Sequence, residues 1–85
     1  MDKRTIATRI HARILTIAGP KAKNLSLAMD ASIPDTGLLD SPALMELLVW
    51  YEAEFDLDIP QEDITVEHFG TIDSMAEYAV AKQGG

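Results

Sequence analysis

Leu44, Leu47, Leu48, Tyr51 and Phe55 fall at i, i+3, i+4, i+7 and i+11 within one uninterrupted stretch. That spacing gathers all five on one side of an α-helix, whereas a strand would divide them between two faces. Pro42 stands where a first helical turn tolerates it, and Pro60 blocks continuation beyond Asp56-Leu57-Asp58-Ile59. The spacing therefore predicts a helix from Ser41 or Pro42 to about Phe55, followed by a short extended link. Ile6, Ile10, Ile14 and Ile17, at steps of four, four and three, predict an earlier helix from Asp2, its N-cap, to Ala18, ended by Gly19-Pro20. Thr71 is placed to cap a last helix with Ile72, Met75, Ala76, Ala79 and Val80 inward. Asp73 there lies near the positive end of the dipole and Lys82 near the negative end. A short helix fits between Thr65 and Phe69, stopped by Gly70. No stretch alternates for long enough to demand a strand. The expected fold is all-α, a four-helix bundle with one short member and helices at about 2–18, 41–55, 65–69 and 71–82. Its 85 residues suffice for one domain with one modest core.

The connection from Gly19 to Asp40 is long for so small a domain. Leu25, Leu27, Met29, Ile33, Leu38 and Leu39 are expected to pin it to the core, with a short helical turn near Leu25 to Ala31. Pro34 and Asp35-Thr36-Gly37 supply turn chemistry before the next helix.

Charge is divided along the chain. Residues 1–24 carry six of the seven Lys/Arg and one acid, a balance of +5, while 25–85 carry Lys82 against thirteen acids, a balance of −12. An acidic body repels phosphate backbones, so nucleic acid is excluded as an expected partner and proteins with basic patches are favoured. Lys3, Arg4, Arg9, His11 and Arg13 line the outer side of the first helix, read as a solvated face ahead of an anionic-partner site. With no cysteine, the chain has no disulfide, thiolate metal site or thiol nucleophile, which suits a reducing cytoplasm. Its apolar runs are too short to span a bilayer, and its first residues lack a secretory signal's apolar core. A monomer is the default expectation.

The segment Gly37-Leu38-Leu39-Asp40-Ser41-Pro42 sets one serine hydroxyl where a loop becomes an apolar helix. Pro42 disfavours helical geometry in the residue before it, which makes Ser41 the expected N-cap. In one reading its hydroxyl only accepts a backbone hydrogen bond. In the other it is an attachment point, since a helix N-terminus favours an attached phosphodiester. His11 and His68 lie in other elements, so no base is at hand and Ser41 is expected to be another enzyme's substrate, not a nucleophile. Pro42, Met45 and Val49 form a second apolar stripe at i, i+3, i+7, bordered by Glu46 and Glu52. Trp50 sits between the two stripes, read as partly buried packing ahead of partner contact.

Asp40-Ser41 entering this helix, with Glu52, Glu54-Phe55-Asp56, Ile59-Pro60 and Glu62-Asp63 following in order, resembles the acyl and peptidyl carrier proteins over roughly residues 33–80. The Gly37-Leu38-Leu39-Asp40-Ser41 wording is also similar to D-alanine carriers. The resemblance implies a 4′-phosphopantetheine arm moved from coenzyme A to Ser41 by a phosphopantetheinyl transferase, with Asp40 supporting attachment. It implies a stand-alone, non-catalytic carrier that holds an acyl or aminoacyl group as a thioester. The implied partners are an acyl- or aminoacyl-activating ligase and downstream transferase or synthase enzymes. Pro42, Met45, Glu46, Val49 and Glu52 are the implied docking residues, although Glu46 also fits a solvated face. Where the family usually has leucine after the serine, this chain has Pro42. That departure keeps open an unmodified adaptor that docks through its acidic second helix. Asp56 and Asp58 lack the glycine and closing glutamate of a calcium loop. Gly84-Gly85 would suit a ubiquitin-like sulfur carrier only in a strand-rich fold.

Overall fold

A computed structural model describes residues 1–22 and 27–84, and among these the chain is helical with no strand. Three long helices form the frame: α1 (Lys3–Ala18), α3 (Ser41–Phe55) and α5 (Ile72–Gly84). Two single-turn helices, α2 (Ile33–Thr36) and α4 (Val66–Phe69), lie in the connections, beside 3₁₀ turns at Gly19–Ala22 and Gln61–Asp63. This is the all-α bundle that the apolar spacing predicts, with α2 added.

Each helix except α2 starts where a side chain satisfies an otherwise unpaired amide. The Asp2 carboxylate accepts the Thr5 N–H at 2.8 Å, and the Thr65 hydroxyl accepts that of His68 at 3.4 Å. The Thr71 hydroxyl accepts the Ser74 N–H at 3.0 Å. The ends follow the same economy. Gly37 closes α2 with φ +70°, and Asp56 closes α3 with φ 53° and ψ 52°, the left-handed geometry that Asp tolerates better than most residues.

The core lies where α1 packs on α3 and α5. Ile6, Ile10 and Ile14 meet Leu47, Tyr51 and Phe55 and the inward side of α5, Ile72, Met75, Ala76 and Ala79. Tyr51 is fully buried, and its hydroxyl donates to the Met75 carbonyl at 2.7 Å, so the one polar atom on its ring is satisfied. Two members of the α3 stripe depart from expectation. Leu44 and Leu48 are half-buried, because α4 packs on α5 and leaves a cleft along that side of α3.

The first connection is pinned by Leu27, Ile33, Leu38 and Leu39, all buried. Met29 is not: its side chain is 38% exposed, and its carbonyl does the holding by accepting the Asp73 N–H at 3.0 Å. Ile33 donates its N–H to the Gly70 carbonyl at 2.7 Å, tying α2 to the junction of α4 and α5. Among the described residues the helical turn falls at Ile33–Thr36, and over residues 27–31 the Ala31 N–H closes only a turn on Ala28. Pro34 explains the shift, since its fixed φ suits a first helical turn. Leu25, expected in that earlier turn, lies outside the described residues.

Part of the basic side of α1 pairs with acidic neighbours at the surface. Arg9 reaches Glu54 at 2.7 Å, and Lys3 reaches Asp73 at 3.6 Å. Arg13 lies over the Trp50 ring, 5.6 Å from its centroid. Trp50 itself is half-buried and meets Phe55 edge-on at 5.6 Å.

Candidate functional site

The start of α3 is built differently from its sequence-based expectation. Ser41 is not the N-cap but the first helical residue, and the cap is Asp40, extended at φ −84° and ψ −179°. The Asp40 carboxylate accepts the Ala43 N–H at 3.0 Å, and its carbonyl accepts that of Leu44 at 2.9 Å. The positive end of the helix dipole favours the Asp40 carboxylate at the cap, which offsets the preference against helical geometry before Pro42. The consequence reaches the chemistry. Ser41 is exposed, and its hydroxyl makes no hydrogen bond among the described residues.

Amides for a phosphate are scarce at this helix start, because Pro42 has none and that of Ala43 is taken by Asp40. The dipole remains as the electrostatic attraction, without the cradle of N–H groups found at phosphate-binding helix termini. Ser41 thus fits an outward-projecting attachment better than a pocket that grips a phosphate. His11 Nε2 lies 3.2 Å from the Leu27 carbonyl, and the His68 ring meets Tyr78 at a tilt of 56°, 5.0 Å between centroids. Neither is placed as a base for Ser41. Among the described residues no cluster of His, Asp or Glu is arranged to hold a metal ion.

Beside Ser41 opens a cleft of about 330 Å³. Its floor is Leu44, Leu47, Leu48 and Met75, and its far wall is Ile64, Val66 and Phe69. The two rims carry side chains that the fold leaves uncovered. Met45, 58% exposed, lines the α3 side, and Ile64 at 43% and Val66 at 75% line the other. Val49, 63% exposed, lies one turn further along α3, outside the cleft lining. Pro42 and Glu46 are exposed on the same helix. Glu52, also among the implied docking residues, is half-buried, and its Oε2 accepts the Ile59 N–H at 3.0 Å. That oxygen holds the loop after α3 instead of facing a partner.

Ile64 and Val66 are absent from the sequence-derived set. Two apolar residues flanking a capping threonine, amid Glu62, Asp63 and Glu67, were the available signal. A four-residue helix has too little periodicity for that signal to stand out.

An all-α bundle with an uncommitted serine hydroxyl at the mouth of an acidic helix is the architecture of a carrier domain, and the comparisons agree. Aminoacyl carrier protein 1 of Bradyrhizobium diazoefficiens is 33% identical over 72 residues, spanning 80% of this chain and 79% of the relative. Aminoacyl carrier protein 2 of the same organism is 29% identical over 82 residues, spanning 92% and 91%. The D-alanyl carrier protein of Lactobacillus acidophilus is 37% identical over 49 residues, 58% of this chain and 62% of that protein. Among solved structures, a chain from Bradyrhizobium japonicum glycine:[carrier protein] ligase complexed with glycylated carrier protein matches with a TM-score of 0.62 at 32% identity. That match covers 86% of this chain and 99% of the other. No family model matches the chain. The chain belongs to the carrier-protein family whose members include these aminoacyl carriers.

Proposed function

We propose that this chain carries an aminoacyl group as a thioester on a 4′-phosphopantetheine arm attached to Ser41. The observation that carries the proposal is the exposed Ser41 hydroxyl, left available because Asp40 does the capping. When bound, the arm supplies the terminal thiol that holds the cargo, which is how a chain with no cysteine serves thioester chemistry. The protein's own residues position and present. In a phosphopantetheinyl transferase the Ser41 oxygen, giving up its proton, attacks the pantetheine-bearing phosphorus of coenzyme A. The pyrophosphate bond breaks and adenosine 3′,5′-bisphosphate leaves, and the adjacent Asp40 carboxylate supports the cation used in that transfer. Met45, Val49, Ile64 and Val66 form the apolar docking ground, with Pro42 beside the attachment point and Glu46 giving a negative rim. Glu52 serves that surface indirectly, through the loop it holds. The chain is a substrate and not a catalyst, and its partners are an aminoacyl-activating ligase and the enzyme that takes the cargo onward.

The aminoacyl cargo rests on relatives named for it and on a structural neighbour described as glycylated. The site of action proposed is the cytoplasm, consistent with the absence of cysteine. Among the described residues no helix is long and apolar enough to cross a membrane. Pro42 in place of leucine favours one rival, an unmodified adaptor that uses the same surface.

Charging separates the two. The purified chain is treated with coenzyme A, magnesium and a transferase, then with ATP, an aminoacyl-activating ligase and either glycine or D-alanine. The expected intact mass rises by one arm and then by one amino acid, and hydroxylamine removes the second increment. A chain that takes the arm but no amino acid contradicts the aminoacyl reading, and one that takes no arm from several transferases supports the adaptor.

A further inference from the structure

The two walls of the cleft beside Ser41 are held in unlike ways. α3 is fixed along its length by Leu47, Tyr51 and Phe55 and packs on α1. The opposite wall, residues 60–69, contains no buried residue. It begins after the left-handed turn at Asp56 and ends at Gly70, where an added Cβ would collide with the Val66 carbonyl oxygen. Phe69 packs its ring edge-on against Tyr51 of α3 at 5.5 Å between centroids, while the side-chain hydrogen bonds that reach the wall from another element come from α5. Ser74 donates its hydroxyl to the His68 carbonyl at 3.0 Å, and the Phe69 ring meets Tyr78 at 5.2 Å. Tyr78 then donates its hydroxyl to Asp63 Oδ2 at 2.7 Å, and Lys82 Nζ stands 3.9 Å from the same oxygen.

We propose that Tyr78 is the positioning residue that latches residues 60–69, one wall of the Ser41 cleft, to α5 through Asp63. A wall with little buried apolar area opens more readily than the frame that carries it. Beside the packing of Phe69, the shortest polar tie that holds it is the bond from the Tyr78 phenol to the Asp63 carboxylate. Tyr78 is suited to the task because its ring is buried, 7% exposed, while its oxygen reaches the one side chain anchored at the base of the wall. Opening moves Ile64 and Val66 away from Met45, and so widens the cleft and reshapes the docking ground together. That use of the latch rests on the carrier reading of Ser41. The latch itself does not.

Hydrogen exchange on the unmodified chain tests it. The amides of Asp63, Ile64, Thr65, Phe69 and Gly70 are hydrogen-bonded within the wall and its end. In Tyr78→Phe, which keeps the ring and removes the hydroxyl, their exchange is expected to accelerate at least about tenfold. The amides of Leu47, Tyr51 and Ile10 should hold their parent rates. Asp63→Ala is expected to reproduce the pattern, and the double variant to exceed neither single one, as two ends of one bond require. Unchanged wall amides, a uniform acceleration that includes α1 and α3, or additive effects in the double variant would each overturn the proposal. Arm attachment is read separately by intact mass, so loss of the latch and loss of the carrier reading give different results.

Discussion

Asp40 and Ser41 stand side by side at the start of α3, and the helix uses only the first. Asp40 takes the Ala43 amide, so Asp40→Ala is expected to lower unfolding free energy by about 1 kcal/mol. Ser41→Ala should change it by less than about 0.5 kcal/mol, because the exposed hydroxyl holds no structural bond. Paired denaturant titrations check both, and a larger loss for Ser41→Ala would return the cap to the serine. The sequence could not decide between the two residues. Asp and Ser cap helices about equally well, and a helix start is uncertain by a residue or two when both occur together. A one-residue difference in register separates a structural hydroxyl from a chemical one.

At the scale of elements, α4 depends on α5, and that dependence has a pH signature. Burial, then the bond to Asp63 and the negative charges of Asp63 and Glu62, push the Tyr78 phenol up to about 12 from its ordinary value of 10.0. His68 meets the ring at a tilt, and Lys82 lies against it at 5.4 Å. A group whose folded pKa is raised stabilises fully below its unfolded pKa, and the contribution is lost as pH rises through the folded one. Helicity followed by circular dichroism should thus fall as pH climbs from about 10 to 12, with phenolate absorbance rising in step. Tyr51 is displaced in the same direction by burial, so Tyr78→Phe isolates the α4 contribution and should flatten the early part of the curve. Identical curves for parent and variant would remove Tyr78 from the account. The long helices were legible because α1, α3 and α5 carry apolar stripes over several turns. The single turns of α2 and α4 were harder to place, since one turn shows no period and tertiary hydrogen bonds such as Ile33 to Gly70 decide it.

Across the whole molecule, charge and exposed apolar surface set how partners approach. The division of charge visible in the sequence is partly folded back on itself, with Arg9 against Glu54 and Lys3 against Asp73. Such exposed pairs add little stability, but they leave Glu46, Glu62 and Glu67 as the open acidic frame around the cleft. Met45→Asp or Val66→Asp is expected to raise a partner ligase's KM for the carrier about tenfold, with melting temperature nearly unchanged, since both side chains are already in water. Equal KM values would place docking elsewhere. The α3 side of this surface could be read from Met45, Glu46 and Val49 in one helical stretch. The cleft could not, because it is a gap between segments about twenty residues apart in sequence and exists only once α4 has packed on α5.

The central claim is that Ser41 bears the arm, and fragment-mass localisation after transfer from coenzyme A addresses it directly. A single phosphopantetheine is expected on the peptide containing Asp40-Ser41-Pro42, located on the serine oxygen and absent from Ser41→Ala. An arm on any other residue, or an equal mass gain in Ser41→Ala, would contradict it.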